Sequence, residues 1–183
     1  MSGEDRVERE LKFPCSDLNS LREQLQAAEA ERVSASALED NLIYDRGGEL
    51  ASAGRLLRLR FDDNGACLTY KGPATYDGGL KIREEIETAV GKPAELRAIL
   101  ENLGYKKVQR YQKYREEWRL GGVIVCLDRT PIGDFAEFEG DAAAKLAERF
   151  GLDPKTAERR SYLQIYKDHR EVEPTAPEEM VFS

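Results

Sequence analysis

Histidine is almost absent: the 183-residue chain carries one, His169, near its C-terminal end. It reads as a surface residue, which leaves no imidazole for base catalysis or for a histidine metal site. Cysteine is sparse too. Cys15, Cys67 and Cys126 are scattered without metal-ligand spacing, and an odd number argues against a disulfide framework and for a reduced compartment. No apolar run is long enough to span a membrane, and the start Met-Ser-Gly-Glu-Asp lacks the basic and apolar regions of a signal peptide. A cytoplasmic protein is expected. Positive charge is in deficit, with 28 Lys and Arg against 35 Asp and Glu, a net charge of -7. Coating of nucleic acid or of an anionic membrane by bulk attraction is thereby excluded, and any anion must meet a local basic site.

What the chain does have is charge of both signs: 34% of residues are charged beside 40% hydrophobic ones, enough for one domain with a real core. The segment Val7 to Phe13, read with a period of two, puts Val7, Arg9, Leu11 and Phe13 on one face and Glu8, Glu10 and Lys12 on the other. Similar faces recur. Leu57, Leu59 and Phe61 oppose Arg58 and Arg60; Asn64-Gly65 signals a hairpin into a strand where Leu68 and Tyr70 oppose Thr69 and Lys71. In 80–90, Ile82 and Ile86 oppose Arg83, Glu85 and Glu87. Tyr111, Lys113 and Arg115 share a face of a long strand over 106–120, Gly121-Gly122 turns it back into a strand carrying Cys126 and Asp128, and Phe135 to Glu139 sets Glu137 beside Glu139.

The remaining segments read as packing and connections. Ser16 or Asp17 caps a helix with Leu18, Leu21, Leu25 and Ala28; 31–45 is a strand that bends midway; 46–54 and 72–79 are loops. Pro93 opens a helix with the apolar stripe Leu96, Ile99, Leu100 and Leu103, and an alanine-rich helix follows near 141–150. Ser161 and Gln164 have capping-box spacing for a last helix through about 167. From Glu171 onward the acidic, proline-containing stretch reads as a mobile tail, so the chain divides into a 1–170 domain and a 171–183 tail.

A solvated sheet face would be ordinary in an antiparallel sheet. Same-parity doublets of Glu-Glu, Arg-Arg and Lys-Arg on strand after strand argue for something else. About eight strands can close into a barrel; with helices outside, the apolar faces point outward and the charged faces line the lumen. Ions buried there need mutual pairing, hydration or a ligand. A polyphosphate with divalent metals supplies one, arginine and lysine taking phosphate oxygens and carboxylates taking Mg2+ or Mn2+.

Taken in order, Glu8-x-Glu10-x-Lys12, Leu57-Arg58-Leu59-Arg60, Thr69-Tyr-Lys71-Gly-Pro73, Arg83-Glu-Glu85-Ile-Glu87, Lys113-Tyr-Arg115, Leu127-Asp128, Gly133-Asp-Phe-Ala-Glu137-Phe-Glu139-Gly140 and Ser161-Tyr-Leu163 resemble the motifs of the CYTH superfamily, the triphosphate tunnel metalloenzymes. The likeness within it is to class IV adenylyl cyclases. The resemblance implies an α+β fold with a closed eight-stranded antiparallel barrel and a metal-dependent attack on a triphosphate. By position, Glu8, Glu10, Glu137 and Glu139 would hold Mg2+ or Mn2+, with Glu85 and Glu87 as further tunnel acids. Lys12, Arg58, Arg60, Lys71, Arg83, Lys113 and Arg115 would hold phosphates, and Asp128 or Lys12 would be the catalytic base. The implied substrate is ATP, cyclised to cyclic AMP and pyrophosphate, or alternatively thiamine triphosphate or inorganic triphosphate, hydrolysed by water. A non-catalytic polyphosphate sensor is a third reading, neither nucleic acid nor membrane is an expected partner, and a homodimer is left open. In 39–45, Asn41 and Ile43 stand where that family usually has an acid and an aromatic.

Overall fold

The computed structural model describes residues 6–183, so the opening Met-Ser-Gly-Glu-Asp lies outside the described residues. Among the described residues nine strands are present: β1 (Val7–Pro14), β2 (Glu31–Asp45), β3 (Leu56–Asp62), β4 (Gly65–Lys71), β5 (Thr75–Asp77), β6 (Leu80–Ala89), β7 (Lys106–Leu120), β8 (Val123–Thr130) and β9 (Gly133–Glu139). Eight of them run in the order β1-β9-β8-β7-β2-β3-β4-β6 and close through β1–β6 pairing, every pair antiparallel. The closed eight-stranded barrel expected from the sequence is therefore observed. β5 is an extra, three-residue strand on β6, within a stretch read as loop; it is too short between Gly72-Pro73 and Gly78-Gly79 to show alternation.

Period-two alternation sets the two surfaces of the barrel. The outward apolar faces of β1, β8 and β9 bury Leu11, Phe13, Val125 and Phe138 against Leu21 and Leu25 of α1 (Leu18–Ala27), with α4 (Ala143–Arg149) alongside. Each such side chain contributes about 1.5–3 kcal/mol by leaving water. Asp17 caps α1 by accepting from the Ser20 amide. On the other flank α3 (Pro93–Asn102) covers Leu42, Tyr44 and Leu59 through Leu100 and Leu96. The stripe expected there is only half used: Ile99 is 56% and Leu103 59% exposed. Ile99 lies one residue, about 100°, round the helix from Leu100, and Leu103 is the C-cap of a ten-residue helix.

The connection at 46–54 holds a short helix, α2 (Glu49–Ser52), rather than loop throughout. The Asp45 carboxylate builds it by accepting from the amides of Arg46, Leu50 and Ala51. α5 (Tyr162–Val172) starts on the expected Ser161–Gln164 capping box but runs a turn beyond the expected end. Its Tyr162 and Tyr166 join Ile43, Tyr111 and Phe135 in an apolar cluster. No helix among the described residues is long and apolar enough to cross a membrane.

β7 has 15 residues and β8 only eight, so β8 pairs with β7 only from Tyr114 onward. The segment expected to be a mobile tail lies along part of the edge left over: Gln112 N–H donates to the Met180 carbonyl at 2.8 Å, and Met180 N–H to Arg110 at 3.2 Å. Met180 is 1% exposed, Tyr166 OH donates to the Pro177 carbonyl, and Glu179 pairs with Lys107. The acidic composition of the segment conceals the apolar Met180-Val181-Phe182 that docks it.

Candidate active site

The charged strand faces enclose a cavity of about 740 Å3, lined by ten cationic and seven carboxylate side chains. In a chain of net charge -7 the cavity is thus a local excess of positive charge, which selects anions. The cations are not idle. Lys71 bridges Glu8 at 2.8 Å and Glu85 at 2.9 Å; Lys81 holds Glu10 at 2.5 Å. Arg58 reaches Glu87, Glu85, the Thr69 hydroxyl and the Tyr111 hydroxyl, and Arg60 reaches Asp62 and Glu39. Arg83 has no carboxylate within 4 Å among the described residues, and its Nε lacks a hydrogen-bond partner.

Antiparallel register creates one tight acid group. Glu10 of β1 is opposite Glu139 of β9, with Glu8 two residues back on the same face, and one oxygen from each lies within 4.8 Å of the others. Burial, then crowding by Glu137, Glu10 and Glu8, pushes Glu139 up to about 7 despite the neighbouring Arg115. The second oxygen of Glu8 is buried without a hydrogen-bond donor. Hard carboxylate oxygens in mutual repulsion, one of them orphaned, fit a divalent cation of the Mg2+ or Mn2+ kind.

Beside the Tyr162 cluster the charges interlock differently. Asp128, 0% exposed, accepts from Arg115 Nε at 2.7 Å and Nη2 at 2.6 Å, Lys113 Nζ at 3.0 Å and Tyr162 OH at 2.7 Å. Glu137 is gripped by Arg115 and lies 3.6 Å from Lys12. Burial alone would raise its pKa, but Arg115, Lys113 and Lys12 hold it well below the usual carboxylate range. The Tyr162 ring carries Lys12 Nζ 4.1 Å above its centroid and Lys113 Nζ at 5.3 Å, a cation–π platform for both ammonium groups.

The CYTH domain pattern matches residues 6–162. The chain belongs to the CYTH family. A Methanocaldococcus jannaschii protein whose name proposes it as an adenylate cyclase is 30% identical over 134 residues, 73% of this chain and 76% of that one. A crystallised Vibrio parahaemolyticus protein, also proposed as an adenylate cyclase, superposes with a TM-score of 0.78 at 26% identity, covering 88% of this chain and 98% of the other. A Hippeastrum protein described as an adenylyl cyclase candidate with dominant triphosphatase activity shares the fold, with a TM-score of 0.64 at 18% identity over 88% and 96% of the two chains.

Within this CYTH barrel Glu8, Glu10, Lys12, Arg58, Arg60, Lys71, Arg83, Glu85, Glu87, Lys113, Arg115, Glu137 and Glu139 all line the one cavity. Two expected roles do not fit the geometry. Asp128 is fully buried behind the lining, with one donor on Oδ1 and three on Oδ2, so it does not face a substrate in the cavity to take its proton. Glu137 sits outside the three-oxygen group and is held by Arg115 and Lys12, while Glu139 stays in the group with Arg115 Nη1 3.4 Å away. Residues given no site role from the sequence include Lys81, two positions before Arg83 on the same face, Tyr162 and Glu39, and Arg6, Arg9 and Glu117 also line the cavity.

Glu39 gives a pH-dependent prediction. Burial opposes its ionisation, yet Lys113, Arg115, Arg60 and Arg58 bring its pKa from 4.5 down to about 2. A depressed carboxylate stabilises the fold above its unfolded pKa, and that stability is lost as pH falls from about 4.5 through about 2. Glu39→Gln is expected to cost about 3 kcal/mol at pH 7 in urea unfolding, the gap from wild type roughly halving at about pH 3. A gap that stayed constant with pH would contradict the assignment.

Proposed function

We propose that this CYTH chain is a divalent-metal-dependent enzyme that holds a triphosphate in the barrel, with ATP cyclisation to cyclic AMP and pyrophosphate as its first reading. The observation that carries the proposal is the acid group Glu8, Glu10 and Glu139 set in the wall of a cavity with surplus cations. A sensor of polyphosphate would need the cations but not that group. About 740 Å3 lies within the range of about 300–1,000 Å3 typical of small-molecule sites, so a nucleoside fits beside the phosphates.

In this reading Lys71, Arg58 and Arg83 on one wall and Lys113 and Arg115 on the other clamp phosphate oxygens and neutralise charge that develops during transfer. A Mg2+ or Mn2+ ion bound by Glu8, Glu10 and Glu139 would act as a Lewis acid on the phosphoryl oxygens. Asp128 holds Arg115, Lys113 and Tyr162 in position and takes no proton. Lys12 faces the cavity and would take the 3'-hydroxyl proton only as its neutral amine, in which form it does not serve as a phosphate clamp; an unchanged rate in Lys12→Met would remove it from that part. The ribose 3'-hydroxyl attacks the α-phosphorus as its proton departs, and the bond to pyrophosphate breaks.

The experiment is to incubate the protein with ATP, thiamine triphosphate and inorganic triphosphate, each with Mg2+ or Mn2+, and separate the products. Cyclic AMP with pyrophosphate supports the cyclase. Orthophosphate without a cyclic product moves the protein to the triphosphatases, where water attacks the terminal phosphorus. Binding without any product would leave the sensor.

A further inference from the structure

Two of the three clustered glutamates are already held by ammonium groups, in different ways. Lys71 has a second carboxylate outside the cluster, Glu85 at 2.9 Å, which keeps it anchored whatever happens to Glu8. Lys81 does not. Its Nζ lies 2.5 Å from Glu10 Oε1, and among the described residues no other carboxylate is within 4 Å. The Lys81 side chain is 14% exposed and lines the cavity, while its backbone is paired on both sides, with Glu10 of β1 and Tyr76 of β5. Only the four-carbon stem is free to swing.

We propose that Lys81 is a metal-displaced phosphate ligand: it neutralises Glu10 while the acid group holds no cation, and moves to a phosphate oxygen when a divalent ion takes Glu10. The proposal rests on the metal-and-triphosphate reading above. A divalent ion and an ammonium compete for one carboxylate, so a metal bound alone leaves Lys81 unpaired in a partly buried lumen, which is costly. A triphosphate bound with the metal gives that ammonium a partner again. Metal and triphosphate therefore favour each other, reciprocally, and Lys81 carries part of the coupling.

The test follows Mn2+ binding by electron paramagnetic resonance on the full chain. Calorimetry measures binding of a triphosphate analogue whose two bridging oxygens are methylene groups, so that neither cyclisation nor hydrolysis consumes it. In Lys81→Met, Mn2+ alone is expected to bind about tenfold tighter, and the analogue at saturating Mn2+ about tenfold weaker. The opposite signs separate this role from a structural one, which would weaken both; Lys81→Arg is expected to restore analogue binding, and Lys81→Gln to behave like Lys81→Met. Unchanged Mn2+ binding in both neutral variants, or tighter Mn2+ with unaltered analogue binding, overturns the proposal while leaving the wild-type site intact. A wild-type protein that bound neither probe would overturn the reading of the cavity itself, and this proposal with it.

Discussion

Glu8→Gln combined with Glu10→Gln is expected to lower metal-dependent turnover by about a thousandfold or more, equivalent to about 4 kcal/mol of lost transition-state stabilisation. Both glutamates belong to the group whose oxygens lie within 4.8 Å, and a neutral amide oxygen holds a hard divalent ion far more weakly than a carboxylate. The fold is expected to lose some stability: the glutamine carbonyls still accept from Lys71 and Lys81, but Lys71 keeps only Glu85 as a charge partner and Lys81 keeps none among the described residues. Turnover with Mn2+, Mn2+ affinity and a thermal melt on the same preparation test this together. A folded double variant that kept turnover within tenfold of wild type would show that the metal is held elsewhere.

Arg115→Met is expected to act through the fold, at about 3–5 kcal/mol, because removing one partner strands buried charge. Its guanidinium serves Asp128 through two nitrogens and also Glu137, both buried. Lys113 and Lys12 remain as partial substitutes. Urea unfolding at pH 7 measures the loss. Adding Asp128→Asn removes one stranded carboxylate, so the double variant is expected to fall short of the additive sum of losses by roughly 0.5–3 kcal/mol. Additive losses would mean that Arg115 and Asp128 do not stabilise each other.

The barrel was legible because its strands announce themselves by parity. β1, β3 and β9 alternate over most of their length, Arg9, Leu56, Asp134 and Phe135 excepted, and every charge assigned to their inner faces lies in the cavity wall. β2 hid Glu39: its pairing with β7 slips at three places, so counting by twos along 31–45 loses the face. Lys81 sits at the second position of β6, before alternation is established, and Tyr162 reads as an ordinary first helical residue after a capping serine. Roles were harder to read than positions. Parity could bring Glu137 and Asp128 to the lumen side, but whether an inward carboxylate meets a metal or an arginine depends on the third dimension, where Arg115 claims both.

The apolar cluster with Tyr111, Phe135, Tyr162 and Tyr166 among its members lies against the cavity, whose lining includes Tyr111 and Tyr162. If the cluster shuts that side, whatever goes in last would come out first. A reaction with two products would release them in an order set by which lies nearer the mouth, and the deeper one would hold the cavity against the next arrival. Product inhibition patterns would then report the orientation in which a ligand lies along the barrel axis.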